Sequence, residues 1–266
     1  ESALLEWLAA VEAGYRAVPF HNALHAADAL HCVYYVLSQG EATKKVKFTD
    51  LQILAIVIAA ILVDFDHPGS GITNDYLRKA QPCYASLMYP GQAVLESHHV
   101  AAGFELMKLP RFNFLECLAA TTRAELQSTC AQLVLSTDLN RHDAVMGVAN
   151  KAAQAADFGT QKGDAAVLLS LILKAADTGF AAKSTSVYSF WVHRMLKELA
   201  ALADLETKAS LPVTGIASNA SSERKSAMQL NHLNFIVLPT YACLSDLVPR
   251  MRVTGEFIRA NKNFWA

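Results

Sequence analysis

Apolar side chains recur three and four residues apart through most of the chain, in stretches at roughly 2–13, 23–38, 50–63, 93–108, 113–136, 141–156, 164–178, 187–206 and 226–247. That spacing gathers them on one face of an α-helix. Alternating β-branched runs bounded by turn residues are nearly absent, so the pattern predicts an all-α fold. Local signals mark several ends: Thr49-Asp50 caps the helix that follows, Pro110 interrupts two helices, and Gly163-Asp164 opens another. The stretch 207–225, rich in Ser, Ala and Thr around Pro212 and Gly215, has no strong period and reads as a loop of a kind often mobile or functional. No repeat or composition break divides the chain, and residues 1–266 are expected to form one compact multi-helix bundle.

Composition supports a large buried core and narrows the partners. With 53% hydrophobic residues and a mean hydropathy of +0.21, 266 residues fill one core comfortably. The 23 basic and 24 acidic side chains leave a net charge of −1, which offers no general field for a nucleic-acid backbone or an anionic membrane. Any phosphate must therefore be bound locally. The longest apolar run, Leu51 to Val63, falls short of the roughly 20 residues that cross a bilayer, and Asp50 and Asp64 bracket it, so it predicts a buried helix and no membrane contact. Five widely spaced cysteines without a C-x-x-C pair suggest neither a disulfide framework nor a thiolate zinc site, and fit a reducing, cytoplasmic setting. The chain begins at Glu1 without Met, which suggests a fragment of a longer protein.

Polar clusters interrupt this pattern. The first is Phe20-His21-Asn22-Ala23-Leu24-His25-Ala26-Ala27-Asp28. On a helix, His21, His25 and Asp28 share one face, a geometry for a metal ligand beside a proton donor. A polar face with incidental histidines has the same spacing, and spacing alone leaves both readings open. The second, Asp64-Phe65-Asp66-His67-Pro68-Gly69, follows the most apolar helix. Two carboxylates and an imidazole there are costly to desolvate unless paired or bound to a cation; the competing reading is a helix end with solvated acids before a Pro-Gly turn. Asp177, closing Leu171-Ile-Leu-Lys-Ala-Ala, is a lone acid that gains weight from the other clusters. Glu96-Ser97-His98-His99 supplies groups of the kind that orient ligands or water around a metal, with one of the two adjacent histidines facing the site.

Taken in order, Phe20-His-Asn-x-x-His-Ala-x-Asp28, Asp64-x-Asp-His-Pro-Gly69, Val94-Leu-Glu-Ser-His-His99, Leu135-Ser-Thr-Asp138, Leu171 to Asp177, Trp191, and Gln229 ahead of Phe235 to Pro239 resemble the catalytic domain of the class I cyclic nucleotide phosphodiesterases. The likeness covers nearly the whole chain. It implies a compact helical bundle that hydrolyses cAMP, cGMP or both to 5′-monophosphates with two divalent metals, zinc and magnesium, manganese being an alternative. By this resemblance His21 is the general acid, His25, Asp64 and Asp177 are metal ligands with Asp64 bridging, and Asp66, His67, Glu96, His99 and Thr137 arrange water around the metals. Glu96 is the candidate for keeping His21 charged. Gln229 would hydrogen-bond the base, and Met195 and His232 would clamp it beside Phe180. The partner implied is a small cyclic nucleotide, with no statement about oligomeric state.

The sequence departs from the family pattern at several positions. Val63 stands where a metal-ligating His precedes the bridging Asp, so His67 or a water takes that place, or the site binds metal weakly. His232 stands for a clamping Phe, Phe180 for an Asn, and Ser70-Gly71 lengthens the turn after Pro68. Two further readings therefore stand beside the hydrolase: a silent nucleotide- or metal-binding module of the same fold, and a broader helical His-Asp phosphohydrolase, the latter disfavoured by the broken His-Asp pair at Val63-Asp64.

Overall fold

The computed structural model describes residues 2–80, 87–89 and 93–266. Among them every regular element is helical, in agreement with the all-α expectation. The α-helices are α1 (Ser2–Gly14), α2 (Ala23–Ser38), α3 (Ala42–Lys45), α4 (Asp50–Ile61), α5 (Asn74–Lys79), α6 (Val94–Leu106), α7 (Ala120–Leu135), α8 (His142–Gln154), α9 (Asp164–Asp177), α10 (Thr185–Lys208), α11 (Ser222–His232), α12 (Leu238–Leu247) and α13 (Thr254–Trp265). Cys83 lies outside the described residues, and the other four cysteines are free thiols.

Helix α9 is the hub. Leu168, Leu169, Leu171, Ile172 and Leu173 are fully buried because the helix touches α2, α4, α7, α8 and α12. Each such side chain contributes about 1.5–3 kcal/mol of burial free energy. Helix α4 starts from a capping box, in which the Thr49 hydroxyl accepts from Gln52 N and the Gln52 side chain accepts from Thr49 N, and packs on α7 and α2. The C-terminal ends of α4 and α9 thus meet the first turn of α2. That meeting point is where His25, Asp64 and Asp177 converge.

Several boundaries differ from the periodicity. The stretch 113–136 becomes helix only from Ala120, because Pro110 starts a short 3₁₀ turn and residues through Leu118 turn again. The stretch 226–247 is not one α-helix: Leu233–Val237 widens into a π-turn that accommodates Pro239 in the first turn of α12. The 207–225 region is a loop as expected but is anchored: Glu206 accepts from Thr214 N (2.7 Å), Thr214 Oγ1 (2.5 Å) and Gly215 N (3.0 Å). Glu206→Ala should expose residues 210–220 to proteolysis at a cost of about 1–2 kcal/mol in stability. Cleavage of the loop at the wild-type rate would refute the tether.

Candidate active site

Asn22 begins the site. Its side chain accepts from Leu24 N and His25 N, capping α2, so His21 sits just outside the helix and His25 inside its first turn. His21 and His25 therefore do not share a helix face as the spacing suggested. Asp28 is turned away as well, into an ion pair with Lys183.

His25 Nε2 lies 3.2 Å from Asp177 Oδ1 and 3.4 Å from Asp64 Oδ2. The three ligand atoms all fall within 4.8 Å of one another, and Asp64 Oδ2 is buried without a hydrogen-bond partner. Burial raises the Asp64 carboxyl above its usual range, with the Asp177 charge adding to it. Asp177 stays below its usual range despite burial, because the His25 hydrogen bond and charge favour its anion. An imidazole and two carboxylates with an orphaned buried oxygen form a donor set that fits a divalent cation. Val63, buried beside them in the pocket wall, adds no donor, and His67 is outside the three-residue group.

Across a pocket of about 380 Å³, His21 faces this cluster. Its Nδ1 lies 2.6 Å from Glu198 Oε2, while Glu198 Oε1 accepts from Phe20 N and His21 N. Burial opposes charge on His21, but Asp64, the Glu198 hydrogen bond and the Glu198 and Asp177 charges outweigh it and lift its pKa to about 9. Glu198 is held down at about 2, against its burial, by the same pair and by the two backbone donors. The partner of His21 is thus Glu198 and not Glu96. Glu198 escaped the sequence reading because Lys197-Glu198 on a long helix looks like an ordinary solvated acid; only a contact 177 residues away reveals it.

The pair carries a pH signature. Glu198 titrates lower in the fold than its ordinary 4.5, so its stabilisation is complete above that range and is lost as pH falls toward about 2. Glu198→Gln should cost about 1–3 kcal/mol near neutral pH, a range that allows for the partial exposure of His21, and should flatten the acid limb of the stability curve. Parallel urea-unfolding curves from pH 5 to 2.5 for the two proteins would contradict this.

His67 stacks on His21, with centroids 4.6 Å apart and planes 7° off parallel, and on His99. Burial, reinforced by the His21 charge, lowers His67 to about 3, so a neutral ring lies against a charged one. His99 Nδ1 meets the Phe65 carbonyl at 2.6 Å, and its Nε2 lies 4.0 Å from Asp64 Oδ1. Glu96 accepts from Asn74 Nδ2 yet is raised to about 7, because burial outweighs that bond. Thr137 lines the pocket while its hydroxyl donates to Val134 O. Asp66 is not among the lining residues: Arg16 and His98 engage its two oxygens, at 2.8 and 2.9 Å.

Met195, Phe180 and His232 line the same pocket, the last two with rings 8° from parallel. Gln229 lies behind the lining, fully buried; its Oε1 accepts from Tyr188 OH at 2.9 Å and its Nε2 has no partner. Gly71 shapes the mouth. At φ +78° it passes so close to the backbone of Ala201 and Leu202 that a Cβ would collide there, and Ile72 and Thr73 follow into the wall.

The fold and site together define an all-helical domain built around a buried His-Asp cluster that could hold a cation. A family model described as 3′5′-cyclic nucleotide phosphodiesterase matches residues 20–257, and the chain belongs to that family. A dual specificity calcium/calmodulin-dependent 3′,5′-cyclic nucleotide phosphodiesterase 1B from Bos taurus is 29% identical over 265 residues, 98% of this chain and 47% of that protein. A dual specificity calcium/calmodulin-dependent 3′,5′-cyclic nucleotide phosphodiesterase 1 from Drosophila melanogaster is 31% identical over 90% of this chain and 28% of its own length. The chain thus spans half or less of these relatives. The crystal structure of the phosphodiesterase domain of a RhoPDE fusion protein from the choanoflagellate Salpingoeca rosetta superposes with a TM-score of 0.89 at 26% identity, covering 100% of this chain and 83% of that one. Among the described residues no helix is long and apolar enough to cross a membrane.

Proposed function

We propose that this domain hydrolyses 3′,5′-cyclic nucleotides to 5′-monophosphates in a reaction dependent on divalent metal. The observation that carries this reading is the placement of a charged imidazole, His21, across one pocket from the His25-Asp64-Asp177 donor cluster. His25, Asp64 and Asp177 would hold a cation, and His99, 4.0 Å from the other Asp64 oxygen, and Glu96 in the same pocket are the groups that would support a second. Zinc and magnesium are the candidates, with manganese as an alternative. Bound divalent cations supply an activated water and offset charge on the phosphoryl oxygens.

The chain's own residues do the rest. With Nδ1 given to Glu198, His21 keeps its other N–H for the substrate, and that proton passes to the departing 3′-oxygen. His67 stays neutral beneath it and does not compete for charge. The base would lie against Met195, Phe180 and His232. Tyr188 occupies Gln229 Oε1, and the Nε2 donor is unpartnered but buried behind the lining, so it would meet N1 of adenine or O6 of guanine only if the wall opens on substrate binding. Release of 5′-AMP and 5′-GMP with Mg²⁺, Mn²⁺ or Zn²⁺ tests the proposal; absence of both products under every metal would sink it.

A further inference from the structure

A second cavity, of about 340 Å³, lies behind the metal-ligand cluster. Helices α2, α9, α12 and α13 enclose it, and its wall is almost wholly apolar: Cys32, Val36, Ala176, Tyr241, Met251 and Phe257 contribute. Tyr35, Val253 and Phe257 are exposed and make the rim largely apolar, with the exposed His31 as its polar member. The cavity shares a wall with the pocket that holds His21. Asp177, Thr178 and Phe180 face that pocket, whereas Ala175, Ala176, Gly179 and Ala182 face this cavity. Gly179 makes the partition thin, since a Cβ there would run into the Cys32 thiol.

A volume above 300 Å³, a mainly apolar lining and few polar groups are the marks of a small-molecule site. Its polar equipment is specific. Lys183 lines the cavity, is neutralised by Asp28 and also engages the Cys32 thiol, so one of its three N–H donors remains for a ligand. An anion would have to displace Asp28, and a cation would meet Lys183. A neutral molecule with a hydrogen-bond acceptor matches both the balanced charge and the remaining donor. Tyr35, Tyr241 and Phe257 favour flat rings.

We propose that this cavity is a binding site for a neutral, flat, largely apolar molecule of two or three rings carrying one hydrogen-bond acceptor. Its occupant bears directly on the segment that carries Asp177 and Phe180. The site is separate from the phosphate chemistry and does not depend on it.

The probe for the test is 6-propionyl-2-dimethylaminonaphthalene, a neutral naphthalene ketone whose emission shifts on leaving water. Titrated into the intact chain, it should bind one to one with a Kd of about 10 µM. Phe257→Asp, at an exposed rim position, and Ala182→Leu, which fills the interior, should each weaken binding at least about tenfold, and Lys183→Met should weaken it several-fold. Circular dichroism and the thermal midpoint verify that the variants fold, and the exposed Phe257 site keeps the test valid should Ala182→Leu fail to. Met195→Ala, in the other pocket, should leave binding unchanged. The proposal is overturned if binding does not saturate below millimolar probe, if Phe257→Asp binds as wild type does, or if Met195→Ala abolishes the signal.

Discussion

His21→Ala is expected to lower kcat for cyclic nucleotide hydrolysis by about 10²–10⁴-fold while KM moves by less than about threefold. The imidazole lines the pocket, and its Nδ1 is committed to Glu198. Its other N–H is therefore the proton available to a departing oxygen, and the Glu198 hydrogen bond and charge favour keeping that proton in place. As the solution becomes alkaline the proton is lost, so kcat should fall on that side. The fold should survive, because the side chain is 35% exposed and the backbone bonds from Phe20 N and His21 N to Glu198 do not depend on it. A substrate that needs no proton on departure separates an acid from a structural group. Bis(p-nitrophenyl) phosphate, whose leaving phenolate is stable, should lose far less rate than cAMP does. Equal losses on the two substrates would remove His21 from the general-acid role.

The parts of this site that were readable in the sequence are those where polar residues break an apolar run. Asp64 and Asp177 stand out because one follows a buried helix, α4, by a single turn and the other ends a buried helix, α9, where an unpaired charge is expensive. The helices themselves were readable for the same reason, and Thr49 with Gln52 marked the start of α4. What stayed hidden depends on packing between distant segments. Glu198 looks solvated until α10 is laid against the Phe20-His21 turn. Asp66 looks like a second site acid, yet it sits at φ +54°, in a left-handed turn, where Arg16 and His98 take its oxygens. Helix α13 was missed although Phe257, Ile258, Phe264 and Trp265 recur at helical spacing; the polar members of its buried face, Thr254 and Asn261, carry no such signal. Asn261 is buried only because its amide donates to Ala181 O and Lys183 O, partners that no local pattern announces.

Asp64→Asn should abolish turnover, by at least about 10³-fold, and at the same time raise the stability of the metal-free protein. The two effects share one cause. Asp64 and Asp177 are buried carboxylates on either side of His25, and Asp64 Oδ2 has no donor to satisfy it. Without a cation Asp64 is the costly member, because its desolvation, with the Asp177 charge added, exceeds what the His21 and His25 imidazoles return, whereas Asp177 is held as an anion by His25. Asparagine keeps the shape, removes one charge and brings an NH₂ that can approach Asp177. In chelator the variant should unfold about 2–4 °C above wild type, corresponding to roughly 1 kcal/mol. Added Mn²⁺ should reverse the order: wild type gains stability by binding through its folded state, whereas the variant lacks the carboxylate that joins His25 on one oxygen and faces His99 with the other. Calorimetric titration with Mn²⁺ and thermal scans with and without chelator read both halves. If the variant retained the full metal-dependent rise in midpoint, Asp64 would be a neighbour of the cation site and not one of its ligands.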